Sequence, residues 1–178
     1  MKTYKMTIAG LERELPICEV NEHLDIAAFV MFSDVEMTVN CARELLKKAP
    51  EHDIILTAES KGIPLAYEMA KQEGKNYVLA RKSAKLYMTN PIEVKVKSIT
   101  TAKEQTLYID ELDKQRLDGK RVLIVDDVIS TGESLSALEA LVAHTNATIV
   151  GKMAVLAEGD AAERNDITYL EPLPLFFK

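Results

Sequence analysis

The chain has 178 residues, 47% of them apolar and 28% charged, which suits one domain with a sizeable core and excludes a disordered or collagen-like chain. A formal net charge of −6 argues against a nucleic-acid partner, which calls for a basic footprint, and two cysteines are too few for a disulfide framework or a Cys-rich metal site. No segment approaches the apolar length of a membrane span, and Tyr4, Met6 and Ile8 alternate with polar residues as in a strand rather than a signal peptide, so the expectation is a cytoplasmic chain with no membrane partner and with Cys18 and Cys41 reduced.

Residues 3–8 and 11–18 predict two peripheral strands around Ala9-Gly10, the second pushed toward a sheet edge by Pro16. Ser33-Asp-Val-Glu36 has capping-box spacing, and Val35, Val39, Ala42, Leu46 and Ala49 follow helical periodicity up to Pro50, with Cys41 as a core residue of that helix. A strand at 53–58, a helix at 63–73 ended by Gly74, and a strand at 76–80 make one βαβ unit. Residues 91–98 alternate and predict an antiparallel or edge strand, 98–106 lack apolar anchoring and read as a mobile lid, and 107–110 form a short strand. After the Asp118-Gly119 turn, Val122 to Val125 give the continuous apolar run of a strand buried on both faces. A helix from about 131 to 144 carries Leu135, Leu138, Leu141 and Val142 on one face, followed by strands at 147–157 and 167–170 and a Pro-punctuated tail over 172–177. The sum is an α/β fold, a twisted, mostly parallel sheet with helices on both faces in one domain over 1–178, in which 1–32 and 158–178 form a small peripheral hood.

The chemistry concentrates in Val122-Leu-Ile-Val-Asp-Asp-Val-Ile-Ser-Thr-Gly-Glu-Ser134. Two carboxylates are costly to bury together, so Asp126 and Asp127 are expected to project from the C-terminal end of their strand, where open α/β sheets bind ligands. The apolar pair Val128 and Ile129 follows. Ser130, Thr131, Gly132, Glu133 and Ser134 then supply hydroxyls, a flexible glycine and a helix start whose unpaired N–H groups suit a phosphate monoester. A second turn between strand and helix, Glu59-Ser60-Lys61-Gly62, can aim its N–H groups at another anion. Arg81, Lys82 and Lys85 gather three cations at the end of the next strand, Arg81 as a bidentate fork and the lysines as mobile point charges.

Other readings fit less of this pattern. A response-regulator receiver opens on a similar strand but needs three further βα units downstream, and no Gly-x-x-x-x-Gly-Lys-Ser/Thr loop occurs. A solvated strand end followed by a Ser-capped helix accounts for Ser130 or Thr131 but not for the paired carboxylates. His23, His52 and His144 stand in polar, surface-like contexts and compose no Ser/His/Asp or Cys/His arrangement.

The apolar strand, acidic pair, apolar pair and Ser-Thr-Gly resemble the phosphoribosyl-pyrophosphate (PRPP) signature of type I phosphoribosyltransferases, and the resemblance runs over roughly residues 30–158. It implies that Asp126 and Asp127 hold the ribose hydroxyls, directly or through Mg2+ reached by way of those hydroxyls or water, and that Ser130 to Ser134 hold the 5′-phosphate, with Val128 and Ile129 among the PRPP-binding residues. Glu59-Ser60-Lys61-Gly62 resembles the pyrophosphate loop of purine phosphoribosyltransferases, which makes the Glu59–Ser60 peptide the candidate for the cis bond common there. Arg81-Lys82 with Lys85-Leu86 resembles the Arg-Lys-x-x-Lys-Leu stretch of the adenine and xanthine enzymes and would neutralise the departing pyrophosphate. The lid, with Lys103 and Glu104 as its charged members, would close over the substrates, with Lys103 joining Asp126 and Asp127 as a catalytic candidate.

Val30, Phe32 and Glu158 are the base-site candidates by the same resemblance. The adenine enzymes carry Phe-Arg-Asp where this chain has Phe32-Ser33-Asp34, their lid glutamate falls at Thr100, and the aspartate of hypoxanthine-guanine enzymes falls at Ser130. The implied activity is a purine-salvage enzyme, a homodimer that joins a purine base, adenine first, to C1 of PRPP, giving a nucleoside monophosphate and pyrophosphate. The alternative is a catalytically weak regulator on the same fold that binds PRPP or a nucleotide, and no helix-turn-helix or basic arm suggests a DNA-binding version.

Overall fold

A strand whose residues are all apolar needs cover on both faces, and that requirement organises the chain. The computed structural model describes residues 1–97 and 103–178. Its central sheet comprises β4 (Ile54–Ala58), β5 (Tyr77–Ala80), β8 (Arg121–Ile129), β9 (Thr148–Glu158) and β10 (Thr168–Leu173), in the order β10-β9-β8-β4-β5 with every neighbouring pair parallel. Ile55, Leu123 and Val125 pack into one hydrophobic cluster, while Ile54, Leu56, Val122 and Ile124 pack into another. This is the two-residue period of a strand buried on both sides. Helices α1 (Val35–Leu46) and α2 (Ile63–Glu73) close the first cluster with Met37, Cys41, Leu45, Leu65 and Met69, and α4 (Glu133–Ala143) closes the second with Leu135, Leu138 and Leu141. Burial pushes the Cys41 thiol up to about 12, so it is an inert core group.

Chain direction then creates the crevice. From β4 the chain moves outward to β5, whereas from β8 it moves the other way to β9, so the loops after the adjacent strands β4 and β8 diverge. In an open parallel sheet this reversal of strand order is where ligands bind. Both predicted anion loops lie at it.

Two smaller sheets complete the fold. β1 (Thr3–Ile8), β2 (Leu11–Asn21), β3 (Leu24–Ala27) and β11 (Leu175–Phe177) form an antiparallel sheet that joins the two ends of the chain. β6 (Ile92–Lys97) and β7 (Glu104–Ile109) form an antiparallel pair whose Val94, Leu107 and Ile109 pack with the α4 cluster. No helix among the described residues is long and apolar enough to cross a membrane.

Helix α2 and its stop match the sequence expectation, with Gly74 at φ 68° in the left-handed region that glycine tolerates best. Several expectations are corrected. Pro16 does not hold β2 at an edge: β2 pairs with β1 over its first half and β3 over its second, and Pro16 sits at the changeover. Ser33 does not cap α1. It takes φ 69°, and Asp34 caps instead, its side chain accepting from Met37 N at 3.1 Å, while Glu36 accepts from Arg13 rather than closing a box. β8 runs to Ile129 rather than Val125, and α4 starts at Glu133. β7 begins at Glu104, so the last residues of the expected lid lie in a hydrogen-bonded ladder. Residues 98–102 of that lid, Thr100 among them, fall outside the described residues. His52 is buried, not solvated, with its ring nitrogens 2.8 Å from Pro50 O and 2.7 Å from Glu73 Oε2.

Asp34 joins the terminal sheet to α1, because it accepts from Arg13 Nε at 2.9 Å while capping the helix. The hydrogen bond from Arg13 holds the Asp34 carboxyl below its ordinary value of 3.8. A depressed carboxylate stabilises the fold fully above its unfolded pKa, and that contribution is lost as pH falls through the folded value. Asp34→Ala should therefore cost about 1–2 kcal/mol at pH 7, and the gap from wild type in urea denaturation should shrink below about pH 4. A gap that stays constant to pH 3 would contradict this role.

Candidate active site

Thr57 Oγ1 of β4 donates to Val125 O of β8 at 2.8 Å, tying the two strands together one residue before the acidic pair. The turn that follows β4 contains a cis Glu59–Ser60 peptide, at the position the resemblance indicated. Gly62 then starts α2. A Cβ at Gly62 would lie 2.5 Å from Thr57 Oγ1 and 3.1 Å from Asp126 Oδ1, so only glycine lets the helix start press against the carboxylate of the neighbouring strand.

Asp126 and Asp127 do not project beyond their strand as expected. β8 continues through both, with Asp126 paired to Ala154 and Val128 to Leu156 of β9, and Asp127 is only 3% exposed. Local hydrogen bonds make this tolerable: Asp127 N donates to Asp126 Oδ1 and Val128 N to Asp127 Oδ1, each at 2.8 Å. Burial, followed by the adjacent Asp127 charge, pushes the Asp126 carboxyl well above the usual carboxylate range, and Lys61 opposes that shift. Asp127 Oδ2 is buried without a hydrogen bond, and its ionic partner Lys61 Nζ stands 3.7 Å away. A buried carboxylate oxygen in that state fits a ligand hydroxyl or a cation.

The donor set bears on Mg2+. Two carboxylates offer the hard oxygens that Mg2+ prefers, and no group of three or more His, Cys, Asp or Glu able to hold a metal occurs among the described residues. That fits an ion held by one or two carboxylates and completed by water and the oxygens of a phosphorylated ligand, as Mg2+ usually is, rather than by a protein cage. Asp126 and Asp127 are the residues that would hold it.

The loop after β8 lines a cavity of about 170 Å3 with Asp126 and residues 128–135, and Gln105 of β7 contributes from the other side. Gly132 takes φ 83° and begins α4 without a side-chain cap, as Gly62 begins α2 without one. The other two helices differ. α1 is capped by Asp34 and α3 (Glu111–Leu117) by Asp110 in a reciprocal box with Asp113. The two helix starts at the crevice thus keep N–H groups that no capping side chain of their own satisfies, with positive partial charge directed at the acidic pair's surroundings.

The predicted cations divide. Arg81 Nε donates to Glu59 Oε1 at 2.6 Å and Nη1 to Tyr87 Oη, so the guanidinium secures the first loop instead of standing open to an anion. Glu59 is held below the usual carboxylate range by that hydrogen bond. Lys82 lines a cavity of about 380 Å3 with Lys103, Gln105 and Glu133, which brings the cation segment, the start of β7 and the start of α4 together. Lys85 Nζ donates to Ser83 Oγ at 2.7 Å and does not line that cavity.

The three base-site candidates are not brought together. Phe32 lines an apolar cavity of about 580 Å3 with Ser60, Ile63 and Tyr67. Glu158 instead accepts from Ser130 Oγ at 2.9 Å, in the loop after β8, and Val30 is half exposed and lines neither space. Thr57, Gln105 and Arg164 are residues that the sequence reading missed. Arg164 is gripped by Asp166 through Nε and Nη2, both at 2.8 Å, which sets its remaining Nη1 2.7 Å from where a Gly132 Cβ would lie. Only the Arg164-Asn-Asp166 spacing hinted at that fork, and nothing local marked Gln105, whose position depends on how β7 pairs.

The acidic pair, with Asp127 buried and Asp126 partly exposed, lies between two uncapped helix starts at the strand-order reversal, an arrangement suited to a ligand that carries both hydroxyls and phosphate. Residues 36–172 match the phosphoribosyl transferase domain, and the chain belongs to that family. Over 126 residues it is 33% identical to an adenine phosphoribosyltransferase of Rhodococcus jostii, covering 71% of this chain and 69% of that one. Over 112 residues it is 34% identical to a hypoxanthine/guanine phosphoribosyltransferase of Methanohalophilus mahii, covering 63% of this chain and 55% of that relative. The structure of an adenine phosphoribosyltransferase from Thermoanaerobacter pseudethanolicus has the same fold, with a TM-score of 0.68 at 22% identity over 80% of this chain and 84% of that one.

Because the Asp126 carboxyl is raised in the folded protein, its charged form opposes folding increasingly as pH rises from the unfolded value near 3.8 toward the folded one. Asp126→Asn keeps the acceptor for Asp127 N and removes the charge. The ligand-free variant should be more stable than wild type at pH 8 in urea denaturation, with the difference vanishing toward pH 4. A variant less stable at pH 8 would mean that the Asp126 charge does not oppose folding.

Proposed function

We propose that the chain transfers the phosphoribosyl group of PRPP to a purine base, with adenine the first candidate and hypoxanthine or guanine the second, releasing pyrophosphate and a nucleoside monophosphate in purine salvage. The observation that carries this reading is the buried Asp127 Oδ2, unsatisfied and flanked by two uncapped helix starts. Hydroxyl donors of a ribose, or a cation bound to them, suit that oxygen, while the N–H groups of residues 130–134 suit its 5′-phosphate and those of the Glu59–Gly62 turn the pyrophosphate. In the reaction the bond from C1 to a pyrophosphate oxygen breaks and its electron pair leaves with pyrophosphate. A purine ring nitrogen bonds to C1 and gives up its proton. Positive charge develops on the ribose meanwhile, next to Asp126 and Asp127, so electrostatic positioning rather than a protein nucleophile accounts for catalysis. Mg2+, when bound, adds positive charge that offsets the negative charge growing on pyrophosphate.

Lys82 and Lys103 supply the mobile cations for the departing group, and Phe32 offers an aromatic face for the base beside Ser60. Adenine ranks first on the Arg81-to-Leu86 segment, and relatives named for both adenine and hypoxanthine/guanine keep the second candidate in play. The exposed Val35, Tyr67, Leu86 and Tyr87 favour the homodimer that the resemblance implies.

Incubation with PRPP, Mg2+ and each of adenine, hypoxanthine, guanine, xanthine and orotate tests the proposal. A nucleotide product is expected, with adenine giving the highest kcat/KM. Asp127→Asn should weaken PRPP binding in calorimetry by about tenfold or more, since it removes a charged acceptor. Lys103→Ala should lower turnover more than it weakens PRPP binding, because its contact tightens as charge leaves. No product with any base, together with a PRPP affinity indifferent to Lys103, would favour the regulatory reading instead.

A further inference from the structure

Three buried carboxylate oxygens lack a hydrogen bond among the described residues: Asp25 Oδ1, Glu139 Oε1 and Asp127 Oδ2. The first two have an ammonium in close contact, Lys178 Nζ at 2.9 Å and Lys152 Nζ at 2.6 Å. Asp127 Oδ2 does not. Lys61 Nζ stands off at 3.7 Å, within ion-pair range but beyond a hydrogen bond, and the Lys61 side chain is 53% exposed while that of Asp127 is 4% exposed. An ammonium on a flexible stem, half in water and not seated on its partner, is free to leave.

Where it would go is set by the loop that carries it. Lys61 immediately precedes Gly62, the uncapped start of α2, so an anion approaching those N–H groups meets the ammonium as well. Moving toward the anion takes Lys61 away from Asp127 and leaves Asp126 and the buried Asp127 without their cation. A second cation must then replace it, because a buried carboxylate with no counter-charge is strongly disfavoured.

We propose that Lys61 is the resident counter-ion of the acidic pair and competes with a divalent cation for Asp127, so that the metal enters together with a polyphosphate ligand that draws Lys61 away. This rests on the reading of the pair as the PRPP site. Lys61 thereby acts as a positioning residue as well as a pyrophosphate contact: it keeps the metal from loading onto the empty site and couples metal entry to ligand entry. By linkage the effect is reciprocal, so anything that removes the ammonium strengthens metal binding to the ligand-free protein.

Mn2+ is a suitable probe, read by electron paramagnetic resonance as the loss of free-ion signal on titration with ligand-free protein. Lys61→Met should bind Mn2+ roughly fivefold or more tighter than wild type, and Lys61→Arg, which keeps the charge, should stay near wild type. In an Asp127→Asn background the same Lys61→Met change should bring no gain, since the contested oxygen is gone. Mn2+ affinity unchanged in Lys61→Met, an equal gain in Lys61→Arg, or a gain that persists with Asp127→Asn would each overturn the counter-ion role. Calorimetric titration of wild type with PRPP at saturating Mg2+ checks the underlying reading separately. Absence of PRPP binding there would sink the proposed function, whereas PRPP binding with no Lys61 effect on Mn2+ would sink only the counter-ion exchange.

Discussion

Asp126 and Asp127 put two like charges side by side in the second half of a buried strand, and much of the surrounding structure answers that burden. Thr57 ties β4 to β8 just before the pair, Gly62 lets the start of α2 press against Asp126, and two backbone N–H groups of β8 occupy one oxygen of each carboxylate. These compensations are small. A helix start contributes about 0.3–1 kcal/mol per favourable charge contact, whereas a buried and uncompensated carboxylate costs several kcal/mol. Lys61, half exposed and 3.7 Å away, narrows the gap without closing it. The imbalance is the kind that a binding site keeps and a structural core does not, because a ligand with hydroxyls or a bound cation removes it.

The rest of the fold explains why the burden sits there. A five-stranded parallel sheet covered on both faces leaves open only the ends of its strands, and the reversal of strand order between β4 and β8 parts the two loops. Helices away from that point are closed off by carboxylate caps, Asp34 on α1 and Asp110 on α3, while α2 and α4 at the crevice are not. The β6–β7 pair packs on α4 and sets Gln105, with Lys103 just before it, beside the loop after β8, and the pair is anchored by Val94 and Leu107.

Strong local signals made part of this legible in the amino-acid sequence. The run Val122 to Asp127 marked both the central strand and the acidic pair, and Gly74 marked the end of α2 to the residue. Features that depend on pairing across the chain did not show. β3 has four residues and α3 seven, too few for periodicity to register, and β11 is a strand only because β3 lies beside it. Choosing Ser33 over Asp34 as the cap failed because backbone conformation, not residue type, decides between adjacent polar residues. Asp126 and Asp127 sit deeper than the cost of burying charge suggests, because β8 itself supplies N–H groups to one oxygen of each. Glu158 lies far along the chain from Val30 and Phe32, and nothing in their spacing reveals that Glu158 reaches Ser130 instead of Phe32.

The sugar-phosphate assignment of the loop after β8 is tested most directly by amide chemical shifts. Titrating 15N-labelled protein with ribose 5-phosphate should move the backbone N–H resonances of residues 130–134 most strongly, with Asp127 and Val128 following as the ribose hydroxyls meet the carboxylates. Resonances of residues 130–134 that stay unmoved at saturating ligand, whatever shifts elsewhere, would contradict the assignment.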